Sequence, residues 1–261
     1  MKRGSKSMII RNQKEEFVLI RQHDHGFLAG EFAKHIKKDF FENTLYLKEC
    51  IDAIYEHDRG WIRLDKTPIW NDATNAPYTF MDCPSSLRFV FYTLGLNEIA
   101  KSNTYGAVLC SKHFISFPLN QEDNEMVNFY QKELDRQKQL LKTLTKGQYM
   151  MFDKHYRLLK FCDELSLYVC MNHPGASKQE EVALFKGGFE GTEIFNREAN
   201  ELLQAEWVDK KTIRVAPFPF ETEFNTYVKY KSIKKKTIEK IGIAKADEKT
   251  EFQKQQLSVI R

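Results

Sequence analysis

No stretch of these 261 residues approaches the ~20 consecutive apolar residues of a membrane-spanning helix. The opening MKRGSKSMIIRNQKEEF lacks the apolar core of about 7–15 residues that marks a secretory leader. The five cysteines (Cys50, Cys83, Cys110, Cys162 and Cys170) contain no CxxC pair, and an odd number cannot pair completely, so they read as reduced core residues. There is no internal repeat, and no motif that would specify a base, a sugar or a lipid. The net charge is only +4, and the cluster Lys229, Lys231 and Lys234 to Lys236 reads as a solvated basic end rather than a phosphate reader. These absences predict a cytoplasmic protein with neither nucleic acid nor membrane as a partner, and they leave the oligomeric state open.

What is present suits a folded protein. Hydrophobic residues make up 42% and charged ones 29%, and 20 phenylalanines point to a well-filled core. The expectation is a single domain over residues 1–261.

Residues 8–22 read as a β-hairpin, with Met8-Ile9-Ile10 and Phe17 to Ile20 as its strands. From His25 the period changes: His25, Leu28, Ala29, Phe32, Ala33 and Ile36 fall on one helical face. A second helix is expected over Leu45 to Asp58, carrying Leu47, Cys50, Ile51 and Ile54, with His57 and Asp58 extending that face and Gly60 placed to stop it. Residues 62–84, with Pro68, Pro77 and Pro84, read as a long loop that packs through Trp70, Tyr78 and Phe80. Three helices follow: one capped by Ser85 or Ser86 and running from Leu87 to about Lys101, one from Thr104 to Phe117, and a charged outer helix at 121–146. The next, from about Phe152 to Met171, buries Asp163 on its apolar face. Residues 180–232 read as mostly β, with Glu201 to Trp207 paired to Thr212 to Ala216. Residues 247–261 read as a helical or disordered tail. The fold class is therefore α+β: a mainly helical core at 24–173, with a small antiparallel sheet formed by the hairpin and the C-terminal strands.

Four positions carry chemistry: His25, the His57-Asp58 doublet, His113 and Asp163. Each comes from a different helix and lies on or ends an apolar stripe. The 32-residue spacing from His25 to His57 fits two antiparallel helices. Buried His and Asp converging between helices are how bundles build metal sites. Imidazole with carboxylate suits a divalent Mn, Fe, Co, Ni or Zn ion. Arg59, Lys112 or Arg157 could neutralise a substrate phosphate.

The order His … His-Asp … His … Asp resembles the HD-domain superfamily of metal-dependent phosphohydrolases. That resemblance implies a helical core in which His25, His57, Asp58 and Asp163 bind a divalent metal. His113 becomes a second-metal or phosphate-contacting residue, Asp58 and His113 take part in catalysis, and the partner is a small phosphorylated molecule. The departures are the 105 residues between Asp58 and Asp163, and Arg59-Gly60-Trp61 after the doublet. At closer range, QHDHGFLAGEFA, EHDRGW, SKHF and CDELSLYVC resemble the uncharacterised bacterial domain-of-unknown-function family 3891 over roughly residues 8–230, a resemblance that implies no activity.

Plainer roles stand beside these. His23 competes with His25 as first ligand, or bonds the loop entering the helix. Asp24 is a good N-cap. Asp65 reads as a turn residue, His35 and His155 as surface or boundary residues, and His173 as a helix end. A ligand-binding or sensory module without a reaction, a non-hydrolytic metal enzyme, and a structural partner using the sheet edge or the 121–146 helix remain the alternatives.

Overall fold

The structure, a computed structural model, describes residues 8–196 and 201–261. The first seven residues, part of the stretch read for a leader, lie outside it. The chain opens with the antiparallel strands β1 (Ile9–Asn12) and β2 (Glu16–Ile20), then enters α1 (Gln22–His35) and α2 (Leu47–Glu56). The segment expected as a loop holds short 3-10 turns and the two-stranded pair β3 (Trp70–Asn71) and β4 (Ala76–Pro77). Four helices follow: α3 (Ser85–Ala100), α4 (Thr104–Phe114), α5 (Asn124–Leu141) and α6 (Lys146–Met171). Their starts carry local signals. Asn103 accepts from Gly106 N at the head of α4, Asp123 accepts from Met126 N at the head of α5, and Thr145 and Gln148 form a capping box on α6. Neither Ser85 nor Ser86 caps α3, since Pro84 holds the cap position and both serines lie inside the helix.

The C-terminal part supplies β5 (Gln204–Asp209), β6 (Thr212–Ala216), β7 (Phe224–Lys234), two short helices α7 (Lys235–Ile241) and α8 (Ile243–Glu248), and β8 (Gln253–Ile260). The expected mainly helical core with a small antiparallel sheet is corrected by what these strands build. They join the hairpin in one six-stranded sheet, curled into a half-barrel that dominates the molecule, in the order β1-β2-β7-β8-β6-β5. The sheet is mixed, because β8 runs parallel to β6 and antiparallel to β7. The expected tail is therefore an inner strand. Its opening QKQQ has no apolar alternation, because those residues lie on the sheet's polar end; only Leu257 and Val259 are buried in the core. Lys231, expected to be solvated, is nearly buried and pairs with Asp247 at 3.1 Å.

Of the helices before the C-terminal strands, α1 and α6 pack against this sheet. Phe32 of α1 meets Phe220 and Phe224, and His35 stacks on Phe224 with ring centroids 3.9 Å apart. Phe161 of α6 reaches the same cluster through Phe220 and Phe189. Two helices that carry candidate residues, α1 and α6, thereby share one aromatic cluster around Phe220. All five cysteines are free and buried, as their apolar settings implied. No helix among the described residues is long and apolar enough to cross a membrane.

Candidate metal centre

β2 hands the chain to α1 at Arg21, which takes the N-cap position in an extended conformation. Asp24 is not the cap. It sits in the first turn, bonds Arg21 Nε at 2.6 Å, and sets its charge beside the positive end of the helix dipole. His25 follows on the buried face. α2 stops at Glu56, so His57 and Asp58 lie just past its end rather than within it. Gly60 does not stop the helix; it lets the next turn approach α3. A Cβ on Gly60 would sit 2.6 Å from the Phe91 carbonyl oxygen, and one on Gly95 would sit 2.4 Å from Gly60 N. His113 is in the last turn of α4. Asp163 and Ser166, three residues apart, share one face of α6.

These residues meet in one buried cluster. Ser166 Oγ donates to the Asp163 carbonyl at 2.8 Å, so it accepts from His25 Nδ1 at 2.7 Å. His25 Nε2 lies 2.7 Å from Asp58 Oδ2. His57 Nδ1 donates to the Ile54 carbonyl at 2.8 Å, and its Nε2 lies 3.2 Å from Asp163 Oδ1. A neutral imidazole carries hydrogen on one nitrogen only. In the neutral form both Nε2 atoms would therefore turn lone pairs toward carboxylate oxygens, a contact that needs a positive charge between them, either a proton or a metal. An outer N–H fixed by an oxygen with the inner nitrogen left free is the arrangement of metal-ligating histidines.

The electrostatics agree. Burial pulls the His57 pKa down, but the Asp58 and Asp163 carboxylates and the Ile54 carbonyl outweigh it and raise it to about 9. Burial pushes Asp163 up, yet the His57 bond and the surrounding imidazoles hold it well below the usual carboxylate range. His113, with Nε2 3.4 Å from Asp163 Oδ2, is lowered by burial, and its Nδ1 has no partner. Two overlapping triads, His25-His57-Asp58 and His57-His113-Asp163, each keep one donor atom per residue within 4.8 Å of the others and can hold a metal ion.

A cavity of about 480 Å³ opens onto His25, Asp58, His113 and Asp163, with Trp61, Phe89, Tyr92, Phe114 and Phe117 in its walls. A larger groove of about 660 Å³ lies between the hairpin and α7–α8, but no histidine lines it and no unpartnered buried polar atom faces it. The smaller cavity is the one joined to chemistry.

Several expected residues are not in it. His23 belongs to neither triad: its backbone N donates to Asp65, and its ring nitrogen Nδ1 is buried without a partner. Asp65 is no exposed turn residue; burial pushes its carboxyl well above the usual range. His155 is fully buried and bonds Tyr105 at 2.7 Å, because Phe41 and Tyr105 close over it. The three proposed cations point elsewhere. Arg59 pairs with Glu56 and Glu98, Lys112 lies over the rings of Phe152 and Tyr156, and Arg157 pairs with Asp153.

Sequence reasoning missed Gln22, Arg88 and Ser166. Gln22 and Arg88 line the cavity, and each leaves a buried polar atom, Gln22 Oε1 and Arg88 Nε, without a partner. Arg88 is the only arginine or lysine in the described lining. Ser166 had a legible signal, its three-residue offset from Asp163; Arg88 had none.

Over residues 8–235 the chain matches the family described as protein of unknown function (DUF3891), and it belongs to that family. No curated protein and no solved structure matches it.

Proposed function

We propose that this protein is a metal-dependent hydrolase of a small, singly phosphorylated molecule, with His25, His57, Asp58 and Asp163 as metal ligands in an HD-type arrangement. The observation that carries the reading is the pair of inward-facing Nε2 atoms, on His25 and His57, held against carboxylates 2.7 and 3.2 Å away beside a ligand-sized cavity. The donor set of two imidazoles and two carboxylates suits Mn, Fe, Co, Ni or Zn. When bound, such an ion supplies Lewis acidity that lowers the pKa of a water to near 7.

The chain's own groups do the rest. Ser166 and the Ile54 carbonyl fix the two imidazoles in the tautomer that ligation needs. Asp163 ties His57 to His113 through its two oxygens. His113, neutral through burial, can take a proton from the attacking water or return one to the leaving oxygen. The Arg88 guanidinium meets the phosphate, and a single cation matches one phosphate group rather than a polyphosphate. Gln22 orients the ester, and the aromatic walls exclude water and hold an apolar or planar group.

The test has two stages. Protein freed of metal is titrated with Mn, Fe, Co, Ni and Zn and followed by metal content and thermal unfolding; no uptake and no stabilisation ends the hydrolase reading. Loaded protein is then screened against aryl phosphates and nucleoside monophosphates beside His57→Ala and Asp163→Ala. Activity that survives both substitutions overturns the site. Metal binding with no ester turned over leaves a ligand-binding module.

A further inference from the structure

A second polar cluster, sharing no residue with the cavity above, lies on the helix-facing side of the sheet near the end of α6. Arg11 of β1 stands opposite Val18 of β2, and Val18 stands opposite Ser232 of β7. The Arg11 side chain crosses this face. Its Nη1 donates to the Asn172 carbonyl at 3.2 Å and its Nη2 to Gln255 Oε1 of β8 at 3.3 Å. Arg11 is only 4% exposed, and no described carboxylate pairs with it. A guanidinium cannot shed its proton in this way of life, so the charge stays and is met by neutral acceptors alone.

The carbonyl end of α6 accounts for part of this arrangement, since cations are favoured at a helix C-terminus. It does not account for what is left over. Arg11 Nε, Ser232 Oγ and Gln255 Nε2 are all buried and all without a partner. The three residues line one cleft of about 360 Å³, together with Pro174, Tyr230 and Glu16. Two of the three unmet atoms carry hydrogens that can only be donated, and the third is a hydroxyl that can donate. Buried donors are ordinarily paired, and a buried cation with an unpaired nitrogen of its own beside two further unpaired donors describes a place for an anion. Glu16 is the one acid lining the cleft, and it disfavours a dianion while leaving room for a single negative charge, or for a cationic group attached to it.

We propose that this cleft binds the carboxylate of a small organic acid or amino acid, held by Arg11, Ser232 and Gln255. The proposal is independent of the metal centre, and its test needs no activity. The full-length protein is titrated calorimetrically with acetate, glycine and inorganic phosphate at constant ionic strength, with chloride as background, and its unfolding temperature is followed. Saturable binding of acetate or glycine that raises this temperature is the expected result. Ser232→Ala, which removes one donor from an intact sheet, keeps the ligand-free unfolding temperature and weakens binding about tenfold. Arg11→Gln abolishes binding; if that chain does not fold, Ser232→Ala alone decides. No saturation with any of these anions means that the cleft holds only water and overturns the proposal. Phosphate bound more tightly than either carboxylate overturns the ligand class, and binding unchanged in Ser232→Ala overturns the site.

Discussion

His57 Nε2 lies 3.2 Å from Asp163 Oδ1, a contact that closes 106 residues of chain. That pair joins the end of α2 to the middle of α6 and sets the electrostatics of the cluster. In the metal-free protein it acts as an ion pair. On the proposed reading, a metal bound at His57 Nε2 would have to displace that proton.

The two states should therefore respond oppositely to pH. His57 is raised to about 9 in the fold, above the ~6.5 of a free imidazole. Its contribution to metal-free stability is fully present below about pH 6.5 and is lost as pH rises through about 9. The upper bound on that loss is about 3 kcal/mol. Unfolding temperature without metal should fall across this window, while the increment given by added metal grows. A metal increment that shrinks with rising pH would sink the ligand assignment.

Arg88→Met should raise KM for a phosphate ester about 10- to 100-fold, the value of one charge-assisted hydrogen bond. The change in kcat should be small, and unfolding temperature should hold, because Arg88 forms no ion pair among the described residues. Steady-state kinetics with an aryl phosphate checks it. An unchanged KM removes Arg88 from the phosphate site.

Gly30 touches Tyr55 so closely that a Cβ there would lie 2.2 Å from the ring. Gly30→Ala should cost about 1–3 kcal/mol, the range for overpacking a filled site. Tyr55 is two residues from His57, so metal affinity should fall as well. Adding Tyr55→Ala should restore part of the affinity lost by Gly30→Ala alone, which metal titration of both variants would reveal.

A chain ending at Phe252 lacks β8 and leaves β7 and β6 with no strand between them. It should lose cooperative unfolding altogether, read by circular dichroism during a thermal ramp. A shortened chain that unfolds like the whole would show that the sheet stands without its inner strand.

The convergence of the candidate residues was more legible in the sequence than the fold was. His25, His113 and Asp163 each interrupt an apolar helical stripe, and a polar residue in such a place must find a partner. Helix periodicity alone thus brought them forward. The start of α6 was also written locally, as Thr145 and Gln148 in capping-box spacing, yet the thin apolar pattern before Phe152 hid it. β8 was hidden for a different reason. A strand opening on Gln253-Lys254-Gln255-Gln256 shows its burial only through neighbours distant in sequence. Arg88 and Gln22 are cavity residues solely because α1, α3 and α4 meet there, and Arg59, Lys112 and Arg157, close to the candidate residues along the chain, pair with other side chains. Charge partnership is a tertiary property, and no spacing rule reports it.

The strand order has a consequence for synthesis. β6 is made before β7, but the two are joined only through β8, whose residues pair with Thr212 to Arg214 on one side and Phe224 to Tyr230 on the other. While a ribosome still holds residues 253–260, both of those strands present unpaired edges, the kind that recruit foreign strands. The interval between the emergence of β7 and that of β8 is when the nascent chain is most exposed to misassembly, and slow codons placed there would lengthen it.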